Sequence, residues 1–482
     1  MEQTIPSELS TVSSVFIPEN IFRVNDIRGI AESEVTPDFA YQLGSAFAKI
    51  ALAHDQHQIY VCRDGRLSSP ELCAALQKGL RSEGLSIIDL GIGPTPLLNY
   101  VLSRKNDQNT GIMVTASHNG KEYNGFKIAL CGESFCGEEI QNLLALMKEP
   151  AFTKISINKN SNGEDTTNKQ TFDATANYLE SLAKDIPDLS ALKVVIEGAN
   201  GAAGPLAVRV FERLGSQTES LFCTIDGNFP NHPPDPCKAN HLTPLCEKVL
   251  ETSADFGIAL DGDGDRVVIV SDQGQILTPD QLYQIFAKSL LDTYQNTAMV
   301  FDVKASRGVQ ECIEAAGSTA IMEKSGRTYI QARVKQTNAV LGGEYSSHYF
   351  FGDRWHAVDD GIYAACRLAE ILIESGKPLS ELLQDTPSLP CTEELEILIA
   401  EEEKAAIFEK FRQNANFDDA QIINIDGLRV EYPWGWGLIR VSNTGPKLSV
   451  RFEGNTEQYL QQIQDIVRTE FKKILPKINL PF

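Results

Sequence analysis

Long apolar runs are missing from these 482 residues: nowhere do the roughly eighteen consecutive apolar residues of a membrane-crossing helix occur. Cysteine pairing motifs are missing too. The ten cysteines form no C-x-x-C pair and no regular spacing, which argues against a disulfide scaffold or a zinc ribbon. They read as buried small apolar residues, free thiols of a reducing compartment. Basic residues are scarce, 43 Lys and Arg against 65 Asp and Glu, for a net charge of −22. Such a surface repels nucleic acid and anionic membrane, so neither is expected as a partner, and an anionic substrate would need local cations. The first residues, MEQTIPSELSTVSS, lack the positive and apolar regions of a signal peptide, so a cytoplasmic location is expected. What is present is ordinary globular composition, 42% hydrophobic and 22% charged, in a chain long enough for about three or four domains.

Three segments share one plan of strand, glycine-containing loop, amphipathic helix and closing glycine. They begin at Ile59 (IYVCRDGRLSSPELCAALQKGLRSEG), Val194 (VVIEGANGAAGPLAVRVFERLG) and Met299 (MVFDVKASRGVQECIEAAG). Strands alternating with helices of this length predict mostly parallel α/β units, one per domain. A polar stretch at 153–171 reads as a linker, and QDTPSLPCTEE at 384–394 as a second break. Beyond it an acidic helical stretch, a strand pair and a last helix predict a smaller α+β domain. The expected domains are 1–160, 165–274, 275–386 and 387–482.

Four loops carry polar side chains suited to chemistry. In IALDGDGDRVVIV, Asp261, Asp263 and Asp265 alternate with glycines between apolar strands. Three carboxylates this close repel one another, and an all-oxygen donor set selects a hard cation such as Mg²⁺. An EF-hand does not fit, because Arg266 and Asp272 stand where that loop needs Gly and Glu. An acidic hairpin turn remains the plain alternative. In VTASHNGKEYNGFK a strand breaks at Ser117 beside His118, without the G-x-S-x-G elbow of a triad hydrolase, so a capping turn competes with a reactive serine. RVSNTGPKLSVR offers Arg440, Ser442, Asn443, Thr444 and Arg451, donors suited to a phosphate dianion or to a polar turn. LGGEYSSHYFF places Glu344, Ser346 and His348 at alternate positions, on one side of an extended loop or at a solvated strand end.

In this order and spacing the four loops resemble those of the α-D-phosphohexomutase superfamily, phosphomannomutase/phosphoglucomutase branch, over nearly the whole chain. FRVNDIRG, DVKASRG and DDGIYAACRLAEIL add to the likeness. The resemblance implies four domains around a central cleft, three similar mixed α/β sheets sandwiched by helices and a smaller α+β domain, as monomer or weak dimer. It implies a phosphohexomutase that interconverts hexose 1-phosphate and 6-phosphate, of mannose, glucose or both, through a phosphoserine and a bisphosphorylated sugar. Ser117 would carry the phosphoryl group and join Asp261, Asp263 and Asp265 in holding Mg²⁺. Glucose 1,6-bisphosphate or an equivalent would be the activating donor. Arg28 and Lys127 would flank the serine, with Lys127 as proton acceptor and His348 sharing proton transfer. Arg266 and His118 would stabilise charge. Arg23, Lys304, Arg307 and Arg327 would meet the substrate, Glu344, Ser346 and His348 would read the sugar, and Arg440, Ser442, Asn443, Thr444 and Arg451 would grip the second phosphate.

The chain departs from the family at Gly120 and Lys121, where proline is common, and at Asn25, Ser347 and Gly445. It has Arg327 where many relatives have histidine, and an arginine serves as a fixed charge rather than a base. Two other readings stay open here. A haloacid-dehalogenase-like phosphatase would use Asp261 as nucleophile, and a sugar-phosphate-binding protein on the same fold would bind without turnover.

Overall fold

A computed structural model describes residues 16–104, 109–149, 173–386, 388–442 and 445–482. The linker expected at 153–171 lies outside them, as do Asn443 and Thr444. Among the described residues there are four sheets.

The three repeated segments form as read. Gln58–Arg63 leads to helix Ser69–Ser82, Lys193–Glu197 to helix Gly204–Arg213, and Ala298–Asp302 to helix Arg307–Ala315. The first sheet runs Ile27–Ile30, Tyr123–Leu130, Thr110–Val114, Gln58–Arg63, Ser86–Ile92, with Glu133–Ser134 added beside Tyr123–Leu130. Its three Gln58-side strands pair in parallel and the remainder antiparallel. The second and third sheets repeat that mixture in four strands each, and the fourth is five-stranded and antiparallel. Helices cover the sheets because their apolar residues recur on one side. Helix Pro37–Ala53 starts on Thr36, whose hydroxyl accepts from the Phe39 amide, and it packs closely on Ser69–Ser82. Gly44 and Gly79 permit that approach: a Cβ on either would come within 2.3 Å or 2.1 Å of a carbonyl of the other helix.

The cores explain how the cleft is framed. One apolar cluster runs continuously through the second and third sheets and takes in Leu97, Tyr100 and Val101 of the first domain. The fourth domain keeps its own core around Phe411, Phe452 and Phe471. It meets the third domain through Trp436, Leu438 and Val303 and through buried arginines. Arg429 donates to the Val303 and Ala305 carbonyls, and Arg451 bonds Asp280 at 2.9 Å and lies over the Tyr345 ring.

The ten cysteines are free thiols, but only Cys62, Cys73 and Cys366 are buried; Cys237 is exposed and the others are partly covered. The expectation of general burial fails because most sit where elements only partly cover one another. No helix among the described residues is long and apolar enough to cross a membrane.

Candidate active site

A cleft of about 520 Å³ lies where the four domains meet. Its floor begins with Ser117, just past strand Thr110–Val114. Ser117 has a left-handed backbone, φ 51°, a conformation a side-chain-bearing residue adopts only when its surroundings enforce it. Its amide donates to Thr115 Oγ1 at 2.9 Å, and its own Oγ donates to Asp261 Oδ2 at 2.7 Å. The loop after strand Phe256–Leu260 thus curls against the serine loop from the second domain. Asp261 Oδ1 accepts from the Gly264 and Arg266 amides, closing that curl.

Asp261, Asp263 and Asp265 are all buried and close enough to hold one ion. The cation that offsets them here is Lys127, whose Nζ lies 2.6 Å from Asp263 Oδ2 and 2.5 Å from Asp265 Oδ2. Asp263 also takes a hydrogen bond from the Thr95 hydroxyl. Burial, then the Asp265 and Asp263 charges, push the Asp261 carboxyl well above its ordinary range. For Asp265 burial acts in the same direction but is overcome by Lys127 and His348, and its carboxyl falls well below. Burial opposes the Lys127 ammonium, yet Asp263 and Asp265 outweigh it and raise its pKa. In this arrangement Lys127 is therefore a cation rather than a base. Asp263 Oδ1 and Asp265 Oδ1 are buried without a hydrogen-bond donor, so an oxygen-seeking divalent cation fits this donor set.

The cations expected around the serine are mostly in place. Arg28 bonds Asn119 Oδ1 at 2.6 Å and Asp26 at 2.5 Å, and it lines the cleft with Arg23. Arg266 Nε stands 4.0 Å from Asp261 Oδ2. His118 lies 3.3 Å from Ser117 Oγ but does not supply positive charge: burial, Arg266 and Arg28 hold its pKa well below the usual value, so it is neutral. That corrects its assignment as a charge stabiliser.

In the third domain Arg327 opens helix Arg327–Thr337 and bonds Asp359 at 3.2 Å. His348 Nε2 lies 3.4 Å from Asp265, and its Nδ1 lies 3.0 Å from Ser346 Oγ and 3.2 Å from Glu344 Oε2. Those three side chains do come together, but through a tight hairpin turn rather than an extended loop: the Glu344 amide donates to the His348 carbonyl at 3.0 Å, and Ser347 is left-handed, φ 69°. Burial disfavours the imidazolium, but Asp265 and Glu344 prevail and raise the His348 pKa to about 9. Glu344 Oε1 accepts from the Gly326 amide at 2.6 Å, and Oε2 has no donor in hydrogen-bond geometry.

On the fourth side, Arg440, Ser442 and, from the third domain, Lys304 line the cleft. Arg440 bonds Asp426 at 2.8 Å, and Glu394 lies 3.3 Å from Lys304 and 4.0 Å from Arg440. Two expected substrate contacts are elsewhere. Arg307 donates to the Tyr432 and Pro433 carbonyls, and Arg451 is spent on Asp280, Lys304 and Thr392. Both stitch the third and fourth domains together, because the start of helix Arg307–Ala315 and the strand Lys447–Gly454 that carries Arg451 meet the interdomain seam rather than the cleft.

Sequence reading missed Asp359, Glu394 and Asp426 as counter-ions. Asp359 stood in DDGIY and Glu394 in a stretch read only as a break. Their partners lie 32 to 90 residues away for Asp359 and Glu394, beyond any local pattern.

Family models for phosphoglucomutase/phosphomannomutase match the chain in four parts: alpha/beta/alpha domain I over residues 19–154, domain II over 176–274, domain III over 278–389 and the C-terminal domain over 394–470. The chain belongs to the phosphoglucomutase/phosphomannomutase family. It is 41% identical to a phosphomannomutase/phosphoglucomutase of Pseudomonas syringae pv. tomato, over 97% of this chain and 98% of that one. It is 39% identical to a phosphoglucomutase of Neisseria gonorrhoeae, over 93% and 96%. A crystal structure of a phosphoglucomutase/phosphomannomutase family protein from Burkholderia thailandensis superposes with a TM-score of 0.87 at 38% identity, covering 97% of this chain and all of that one. Family membership and the mixed α/β four-part fold agree with what the loops implied, and they favour phosphohexomutase chemistry over the phosphatase alternative.

Proposed function

We propose that this chain interconverts hexose 1-phosphate and hexose 6-phosphate, of mannose, glucose or both, with Ser117 as phosphoryl carrier. The observation that carries the reading is the 2.7 Å bond from Ser117 Oγ to the Asp261 carboxylate, at the floor of a cleft that cations line from all sides. Transfer of this kind is mostly positioning and charge stabilisation, which is what such a site supplies. The domain limits are 1–160, 165–274, 275–386 and 387–482.

Asp261, Asp263 and Asp265, with a phosphoserine oxygen, would hold Mg²⁺, which when bound supplies electrostatic stabilisation to the transferring phosphoryl group. In the step itself the bond from phosphorus to Ser117 Oγ breaks as one forms to the free sugar hydroxyl, whose proton leaves while Oγ gains one. Any engagement of Asp263 and Asp265 that takes their charge from Lys127 leaves burial unopposed and lets the amine accept that proton. Protonated His348 sits on the other side of Asp265 as a donor. Glu344 Oε2 and Ser346 face the sugar hydroxyls, and Arg440 with Ser442, Asn443, Thr444 and Lys304 takes the phosphate not being transferred. Arg23, Arg28, Arg266 and Arg327 complete the positive lining that draws an anionic sugar to an acidic protein. Glucose 1,6-bisphosphate, or another hexose bisphosphate, would load the serine.

Intact mass before and after incubation with glucose 1,6-bisphosphate tests this. A reversible gain of one phosphate, stable to hydroxylamine, is expected; a hydroxylamine-labile phosphate would move the nucleophile to Asp261, and binding with neither labelling nor turnover would leave a sugar-phosphate-binding protein.

A further inference from the structure

The serine loop is held from beneath by a residue that never reaches the cleft. Arg66 follows strand Gln58–Arg63 and is 1% exposed. An arginine has five N–H donors in a rigid plane, and here each has an acceptor. Nε bonds Asp64 at 3.0 Å. Nη1 donates to the carbonyls of Gly120 (2.6 Å) and Tyr123 (3.1 Å), and Nη2 to those of Ser117 (2.7 Å) and Asn119 (2.7 Å). Four carbonyls of one loop thus converge on one cation.

Asp64 ties the other end of the same serine. It accepts from the Thr115 hydroxyl at 2.7 Å, and that hydroxyl oxygen accepts the Ser117 amide at 2.9 Å. The N–H and the C=O of Ser117 are therefore both restrained through a single buried carboxylate. Ser69 Oγ and the Arg66 amide bond the second Asp64 oxygen, so that carboxylate is itself fixed. From the second domain the Phe229 ring lies 5.1 Å below the guanidinium. Gly227 packs so close that a Cβ there would come within 2.6 Å of the Leu67 amide. The loop has little stiffness of its own, because Gly120 stands in its middle and contributes no side chain to pack.

We propose that Arg66 is the positioning residue of the phosphoryl carrier: with Asp64 and Thr115 it holds Ser117 in its left-handed conformation and aims Oγ at the acidic triad. The proposal rests on the reading of Ser117 as that carrier. Arg66 touches neither substrate nor the reacting atoms, so its loss acts on the transfer step and spares sugar-phosphate binding.

The experiment first measures phosphate uptake by the parent protein from glucose 1,6-bisphosphate, then the rate of uptake, kcat and KM in Arg66→Lys and Arg66→Ala. A misplacement near 1 Å costs on the order of 10²-fold, so kcat and the uptake rate should fall about that much with KM little changed. Added guanidinium should restore Arg66→Ala by about ten-fold, since it alone returns the planar set of donors, and methylammonium should not. Parent-like kcat, or a rise in KM alone, overturns the proposal, as does equal rescue by both cations. If Arg66→Ala loses its cooperative unfolding transition, Thr115→Val tests the same network from the amide side: slower uptake with retained KM supports the proposal, and parent-like uptake overturns it. A parent that takes up no phosphate at all sinks the reading of Ser117 itself, whereas a labelled parent whose variants label as fast as it does sinks only Arg66.

Discussion

The two walls of the cleft are built differently. On the serine wall, formed by the first and second domains, the Lys127–aspartate cluster is sealed: Lys127 is 6% exposed at its side chain, and Asp263 and Asp265 are closed to solvent. Lys127 stands on strand Tyr123–Leu130, and the aspartates lie on the short loop between strands Phe256–Leu260 and Val267–Ser271. On the grip wall, formed by the third and fourth domains, the Lys304–Glu394 pair spans the two domains and the Arg440–Asp426 pair lies within the fourth, and their carboxylates stay partly open, with Glu394 30% and Asp426 20% exposed. There Arg440 faces two carboxylates, and Lys304 lies between Glu394 and Asp302. The difference teaches that both walls hold seated ion pairs that a ligand has to displace: a cation would take Asp263 and Asp265 from Lys127 on the sealed wall, and a phosphate would replace the more open carboxylates on Lys304 and Arg440. Sealed charges resist rearrangement because their desolvation has been offset once, by one geometry.

The comparison breaks most visibly on the serine wall. Ser117→Ala should remove phosphate uptake and lower turnover by at least about 10³-fold, since no other nucleophile shares its place. Intact mass and steady-state rates check both, and residual labelling at Asp261 would reverse the assignment. Asp263→Asn should cost about 10²- to 10³-fold in kcat and raise the divalent cation needed for half-activity. Cation titration of both proteins measures it, and a parent fully active in excess EDTA would remove the metal from the account.

Smaller effects belong to the groups that face the substrate. Arg327→His should weaken substrate binding about ten-fold through the lost bidentate charge. The pH optimum should stay in place, because an arginine releases no proton near neutrality. The pH dependence of kcat and kcat/KM decides this, and a variant faster than the parent would show Arg327 to be a brake. On the grip wall, Glu394→Gln should lower KM for the sugar phosphate about five-fold, the effect of removing roughly 1 kcal/mol of competing ion pair. Burial opposes the Glu394 carboxylate, but Lys304 and Arg440 prevail and hold its pKa at about 2, below the ordinary 4.5. A lowered folded-state pKa stabilises fully above the unfolded value and is lost as pH falls through the folded one. The parent should therefore exceed Glu394→Gln in stability at neutral pH, and the gap should close between about 4.5 and about 2, as followed by thermal unfolding. A gap that persists at the acid end would mean that packing rather than charge separates the two proteins.

The sequence by itself determined the strand–loop–helix units and the four loops, because those depend on local periodicity and on glycines, carboxylates and hydroxyls adjacent in the chain. Asp261, Asp263 and Asp265 converge on one short loop of alternating aspartate and glycine, whereas Glu344, Ser346 and His348 meet because the hairpin turn between strands Leu341–Gly343 and Tyr349–Phe351 sets Glu344 opposite His348. Only the tertiary structure decided which charges face the sugar. Arg307 and Arg451 look like Arg327 and Arg440 in sequence, yet the docking of the fourth domain turns the first pair into its seam. Whether His118 is charged, and whether Lys127 is acid or base, follows from burial and from partners brought in across more than a hundred residues of chain. The physical reason is one of range: backbone preference and side-chain alternation act over a few residues, whereas desolvation and ion pairing are set by whatever the folded chain brings within a few ångströms.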